Sequence, residues 1–281
     1  MKLRQTHLVV PGAVFMAVTM GIVIIYTLMV SFWSMKGFVL VPDWSLKNYI
    51  EIFTNWSFAK TILFTIKETF LVLALVLIVS YPVAYFLVRV IKSERVKLIL
   101  LMLCIIPFWT SYIIRMMTWM PMLGKNGVIN SILTGTGLID EPSTWILFSE
   151  PAVVFVMVFL YSVFCVGPIF FVMSQVEEEV IESAQDLGAS GFKTFWHVLV
   201  PLSLPGVATG ALFIIVMTLG EYATNAIIGG NKYPMIGNNI MVRNLAAQWA
   251  PASAYSVTLM VITMICVVIL FRFINIRKRL R

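Results

Sequence analysis

EEEVIESAQDLGASGFKTFWHVLVP, residues Glu177–Pro201, places five carboxylates, one lysine and one histidine between two long apolar segments. Acids crowd its front, at Glu177, Glu178, Glu179 and Glu182, while Lys193 and His197 come late. That order complements the dipole of a helix beginning near Glu177. Gly188, following SAQDL, is placed to end this helix in a left-handed conformation. ASGF then turns the chain, and KTFWHVLV starts a second helix. Pro201 and Pro205 restrict the backbone as it enters the next apolar run. The segment is predicted to be a helix, a turn and a helix, fastened at both ends to membrane crossings.

The surrounding composition makes a membrane the solvent. Of 281 residues, 60% are hydrophobic and 12% charged, where globular chains carry about 25% charged residues. Uncharged runs near 20 residues span the hydrocarbon core as helices. Six are predicted, over about 8–33, 62–90, 98–120, 151–174, 203–228 and 252–272, within one domain covering 1–281. The first run is too long for a signal-peptide core and lacks a small-residue cleavage site, so it is expected to remain as a helix. Six crossings put both termini on one side.

Lysine and arginine then orient the chain. The loops on the side of the termini hold Lys2, Arg4, Arg89, Lys92, Arg95, Lys97, Lys193, Arg272, Arg277, Lys278, Arg279 and Arg281. The opposite loops hold half as many: Lys36, Lys47, Lys60, Lys125, Lys232 and Arg243. Both termini and the acidic insert are therefore expected to face the cytoplasm. The net charge of +7 is accounted for as a topology signal, without a nucleic-acid partner. The outer stretches 34–60 and 121–150, rich in Trp, Gly, Asn and Pro, read as short surface or re-entrant helices and turns. Cys104, Cys165 and Cys266 lie inside apolar runs without metal-ligand spacing.

The insert carries a resemblance. It is similar to the cytoplasmic motif of ABC importer permeases: Glu-Ala-Ala, three residues, Gly, nine residues, Ile-x-Leu-Pro. Here the pattern is Glu182-Ser183-Ala184, three residues, Gly188, nine residues, then Val198-Leu199-Val200-Pro201. Spacing is intact; Ser183, Val198 and Val200 depart modestly in volume. The resemblance implies an all-α membrane protein with the six-helix, type I permease fold. It also implies that residues 175–201 hold a coupling helix seated on an ATPase, with Glu182, Ser183, Ala184, Gly188 and Pro201 in that contact. A helix lying on anionic lipid should instead be basic, and this one is acidic. GASGFKT, Gly188–Thr194, lacks the Gly-Lys-Ser/Thr ending and the preceding strand of a phosphate-binding loop. No cofactor is expected in this chain; ATP and Mg would belong to a partner ATPase dimer. A second homologous permease and an extracytoplasmic substrate-binding protein complete the implied assembly.

A second similarity, to polyamine-type permeases, rests on PFWTSYIIRMMTWMPMLGKNGVINSIL, Pro107–Leu133. Pro107, Trp109, Arg115, Trp119, Gly127 and Asn130 match in order, and GEYATNAIIGG resembles an acid-aromatic stretch of the same group, often with Asp in place of Glu221. The ligand implied is a small organic cation such as spermidine or putrescine; an opine or amino-acid-like solute fits the mixed charges too. Ionisable groups inside a span are functional candidates. At 1.5 Å per residue, Arg115 would lie about 26 Å beyond Leu98 and Glu221 about 27 Å beyond Ser203. Lys67 and Glu68 fall in the same outer tier. Glu221 with Tyr222 suits an ammonium by charge and cation–π attraction, while Arg115 could equally pair with Glu221 or Glu68. Trp109 and Trp119 are expected on one broad helix face. The substrate pathway is thus assigned to Glu221, Tyr222, Trp109, Arg115 and Trp119. With only His7 and His197 present, and no His-Glu-x-x-His or Gly-x-Ser-x-Gly, no catalytic role is read; a secondary carrier or channel is the rival class.

Overall fold

The computed structural model describes residues 2–279, with side chains described over 10–272. Lys2, Arg4, Arg277, Lys278, Arg279 and Arg281, which carry much of the expected charge asymmetry, lie outside the residues whose side chains are described, as does His7. The chain sorts into two compact units. One comprises the residues up to Thr61 with Asn239–Ile262; the other comprises Ile62–Asn238 and the residues from Thr263 onward.

In chain order the elements are α1 (Lys2–Ser31), the hairpin strands β1 (Ser34–Lys36) and β2 (Val39–Val41), α2 (Lys47–Thr54) and α3 (Trp56–Tyr85). A π turn, Phe86–Val90, ends α3. Next come α4 (Glu94–Ile105), a 3₁₀ turn (Ile106–Trp109), α5 (Tyr112–Leu123), α6 (Val128–Gly135) and α7 (Glu150–Met173). The acidic segment forms α8 (Glu178–Asp186) and α9 (Gly191–Thr194), followed by a π turn (Phe195–Leu199) and α10 (Val200–Leu219). Short α11 (Ala223–Ile227) and α12 (Ile236–Leu245) precede α13 (Trp249–Arg279).

Among the described residues, five helical stretches are long and apolar enough to cross a membrane: Val10–Ser31, Trp56–Val90, Glu150–Met173, Gly191–Leu219 and Trp249–Arg272. A sixth exists only if Glu94–Trp109 and Tyr112–Gly135, bent by 95°, count as one. The run expected over 98–120 is therefore not a straight helix. Pro107 has no N–H to continue the α ladder; the backbone tightens into the 3₁₀ turn, and Thr110 leaves it extended at φ −88°, ψ 151°. The fifth run also stops early, at Leu219, with Gly220 as its cap.

In the unit containing Ile62–Asn238, the core forms around α7, whose buried side chains include Val156, Met157, Leu160, Cys165, Ile169 and Met173. α10 lies against it at close range. A Cβ on Gly206 would sit 2.6 Å from the Pro168 carbonyl, and one on Gly210 would sit 2.5 Å from Cys165 Sγ. Two glycines four residues apart occupy one helix face and admit the neighbouring backbone. α3 joins the pair through Ser80 Oγ donating to the Ser162 carbonyl at 3.1 Å and a 2.8 Å bond between the Tyr81 and Ser203 hydroxyls.

In the other unit, Asn48 Nδ2 donates to the carbonyls of Ser31 and Trp33, at 3.0 and 2.8 Å, fixing α2 to the end of α1. The intervening hairpin was not foreseen. Its two-residue turn begins with Gly37 at φ +63°, a conformation that favours glycine. Phe58 and Tyr255 meet edge to face at 4.7 Å, and Arg243 covers the Tyr255 ring at 4.4 Å.

Candidate functional site

The acidic segment builds a specific helix stop. Gly188 N–H donates to Gln185 O at 2.8 Å and Ala189 N–H donates to Ala184 O at 3.1 Å, with Gly188 at φ +86°. This pair of bonds is a Schellman cap. It explains the spacing of the motif: Ala184 supplies the last-turn carbonyl and Gly188 the left-handed residue four positions on. A Cβ on Gly188 would meet nothing within 4 Å, so the demand for glycine is conformational. Ser183 Oγ bonds back to Glu179 O at 2.7 Å, while Glu182 stays exposed.

The second half differs from a separate helix beneath the membrane. Ser190 Oγ caps α9 by accepting from Lys193 N–H at 3.4 Å. The helix then runs on through the π turn into α10, and Val200 N–H bonds Phe195 O. Pro201, lacking an N–H, sits two residues past the π turn, where the helical ladder changes register. The segment is tied to α3 as well. Arg89, at the end of α3, donates to Glu178 at 2.6 Å and to the Val176 carbonyl at 3.0 Å. Leu187, Phe192 and Trp196 are exposed apolar groups of this segment.

Toward the other end of α10 lies a second cluster. Glu221 follows the break at Gly220 and is 5% exposed. Its carboxylate accepts from the Tyr112 and Tyr161 hydroxyls and from Thr224 N–H at 2.8 Å. Tyr112 is the first residue of α5, immediately after the 110–111 break. The two interrupted helices are thus pinned to each other and to α7 through one carboxylate. Tyr222, beside it, is 40% exposed.

Arg115 forms an ion pair with neither Glu221 nor Glu68. Its guanidinium lies 4.9 Å from the Phe108 ring and 5.9 Å from the Tyr112 ring. It borders a cavity of 540 Å³ lined also by Val83, Cys104, Pro107, Trp119 and Phe159. Trp109 and Trp119 do not share a face, because the break separates them. Trp109 stands 84% exposed on the 3₁₀ turn, whereas Trp119 is buried edge-on against Phe155 and Phe159. Lys67 and Glu68 sit in a different cluster with Glu150. The expected single outer tier is therefore two clusters. Tyr112, Tyr161, Glu150 and Arg89 were missed as site residues; Arg89 had a signal, as a cation ending an apolar run.

Residues 80–280 match the profile of the binding-protein-dependent transport system inner membrane component. This chain belongs to that family. The permease is 31% identical over 229 residues to the spermidine/putrescine transport system permease protein PotB of Salmonella typhimurium (strain SL1344), covering 81% of this chain and 78% of that one. It is 27% identical to the inner membrane ABC transporter permease protein YdcU of Escherichia coli (strain K12), over 85% and 79% of the two chains. Among solved structures, a chain of a bacterial alginate ABC transporter, in complex with an alginate pentasaccharide-bound periplasmic protein, superposes with a TM-score of 0.74. The match covers 94% of this permease and 91% of that chain at 15% identity. That likeness establishes the fold, the type I permease architecture. The permease is accordingly a multi-pass inner-membrane transport protein.

Proposed function

We propose that this permease is one of two membrane subunits of an ATP-driven importer that carries a polyamine, spermidine or putrescine, into the cytoplasm. The observation that carries this reading is the 31% identity to a spermidine/putrescine permease across 81% of the chain. In this reading a second permease encloses the passage with it, and an extracytoplasmic binding protein delivers cargo to the outer loops. Both termini and α8 face the cytoplasm, where a separate ATPase dimer holds ATP and Mg. No chemistry occurs within this chain.

Coupling is assigned to α8 and its cap. Glu182, Ser183, Ala184 and Gly188 present the helix, Pro201 marks its entry into α10, and the exposed Leu187 and Phe192 offer apolar area to the motor. Closure of the ATPases on nucleotide would draw two such helices together and turn the passage outward; hydrolysis would reset it. Along the passage, Tyr222 and Trp109 are exposed enough to meet cargo, Arg115 and Trp119 border the cavity between helices, and Glu221 holds the backbone break that presents Tyr222.

The test is reconstitution of the four components in vesicles, reading spermidine uptake and ATP hydrolysis. Gly188→Pro fixes φ near −65° and removes the N–H that bonds Gln185. It is expected to abolish uptake and ATPase stimulation while membrane insertion persists. Normal uptake by that variant, or uptake by this chain without an ATPase, overturns the reading.

A further inference from the structure

Lys67, Glu68 and Glu150 meet where α7 begins beside α3. The Lys67 ammonium donates to Glu150, lies 3.4 Å from Glu68 Oε1 and sits 5.2 Å from the centre of the Phe64 ring. Phe64 in turn stacks on Tyr233, with centroids 6.1 Å apart and planes within 8°. Two carboxylates here share one ammonium. Glu68 is 1% exposed; its side chain interacts with Lys67 and Glu150, but neither oxygen has a hydrogen bond of ordinary geometry. A buried carboxylate with unfilled acceptor sites is costly unless a cation serves it. Lys67 serves it poorly, being drawn toward Glu150 and having a side chain 56% exposed.

Lys67 is itself a primary alkylammonium on a four-carbon stem. Its seat, made of two carboxylates and an aromatic face, has the donor set that recognises the end of a linear diamine. An ammonium held mainly by the half-buried Glu150, on a side chain that is itself exposed, can leave when a competitor arrives. We propose that Phe64, Glu68 and Glu150 form a subsite for a primary alkylammonium, with Lys67 as a tethered occupant that a cargo ammonium displaces. This rests on the reading of the cargo as a polyamine, and it adds a place where one end of that cargo binds. The cluster is separate from the Glu221 break and from the Arg115 cavity.

The deciding measurement is equilibrium binding of radiolabelled putrescine to the assembled permease–ATPase complex in nanodiscs, without the binding protein. Lys67→Met removes the competitor and is expected to tighten binding about threefold or more. Glu68→Gln and Phe64→Leu remove recognition and are expected to weaken it about tenfold, the size of one charge-assisted contact. If Lys67 is merely a structural counter-ion, its loss exposes two carboxylates to each other, so Lys67→Met misfolds or binds no tighter; either result overturns the proposal. Unchanged binding by Glu68→Gln does the same, and if that variant does not assemble, Glu150→Gln at the more exposed position decides. Spermidine uptake by the unaltered complex separates the two readings. Uptake with no effect of these variants removes the subsite and leaves the cargo; the binding pattern without polyamine uptake leaves an alkylammonium site and removes the cargo.

Discussion

Glu221 shows what one buried carboxylate does when its own chain supplies the donors. Two tyrosine hydroxyls and one backbone N–H converge on it, so its charge is satisfied without bulk water. Tyr161→Phe takes away one donor and keeps the ring. The expected cost is about 1–3 kcal/mol, read as a lower thermal midpoint of the detergent-purified chain, with putrescine binding at the Glu68 cluster unchanged. Glu221→Gln should cost at least as much, because a neutral amide accepts more weakly from two hydroxyls. From sequence alone Glu221 was recognisable as an acid in an apolar run. Its partners were not: Tyr112 and Tyr161 lie 109 and 60 residues away, and single tyrosines in apolar stretches carry no mark of what they face.

Elements were legible where the signal is local. The start of α8 among three successive glutamates, the stop at Gly188 and the long apolar helices follow from charge order, glycine conformation and run length. The breaks were less so. Pro107 was visible, yet an apolar run through Trp109 reads as continuous because hydropathy carries no directional information. The close seating of α10 on α7 was equally silent, since Gly206 and Gly210 gain meaning only once Pro168 and Cys165 are known to face them. Gly210→Leu would force side-chain carbons into Cys165 and is expected to destabilise the chain by about 1–3 kcal/mol, as overpacking does. Gly210→Ala should cost less but remain measurable in the same melt. A change as small as Cys165→Ala opens room at that contact and should partly rescue Gly210→Ala.

At the scale of the whole molecule, the proposed underside bracket needs a fixed attachment to the helices above it. Arg89 supplies one, being 11% exposed while its partner Glu178 is 67% exposed. The ion pair alone contributes about 1 kcal/mol or less at such exposure, but Arg89 also holds the Val176 carbonyl. Arg89→Gln is therefore expected to reduce ATPase stimulation more than Glu178→Gln does, with both variants inserting normally; the reverse order would remove Arg89 from transmission. The other attachment contains no loop. Gly191–Leu219 is a single helical run of 29 residues, about 43 Å long at the helical rise. Its π turn at Phe195–Leu199, with Pro201 and Pro205 just beyond, is where that run can bend. A push applied at α9 would therefore reach Gly220 as a swing about that turn, with the stretch beyond Pro205 moving as one piece.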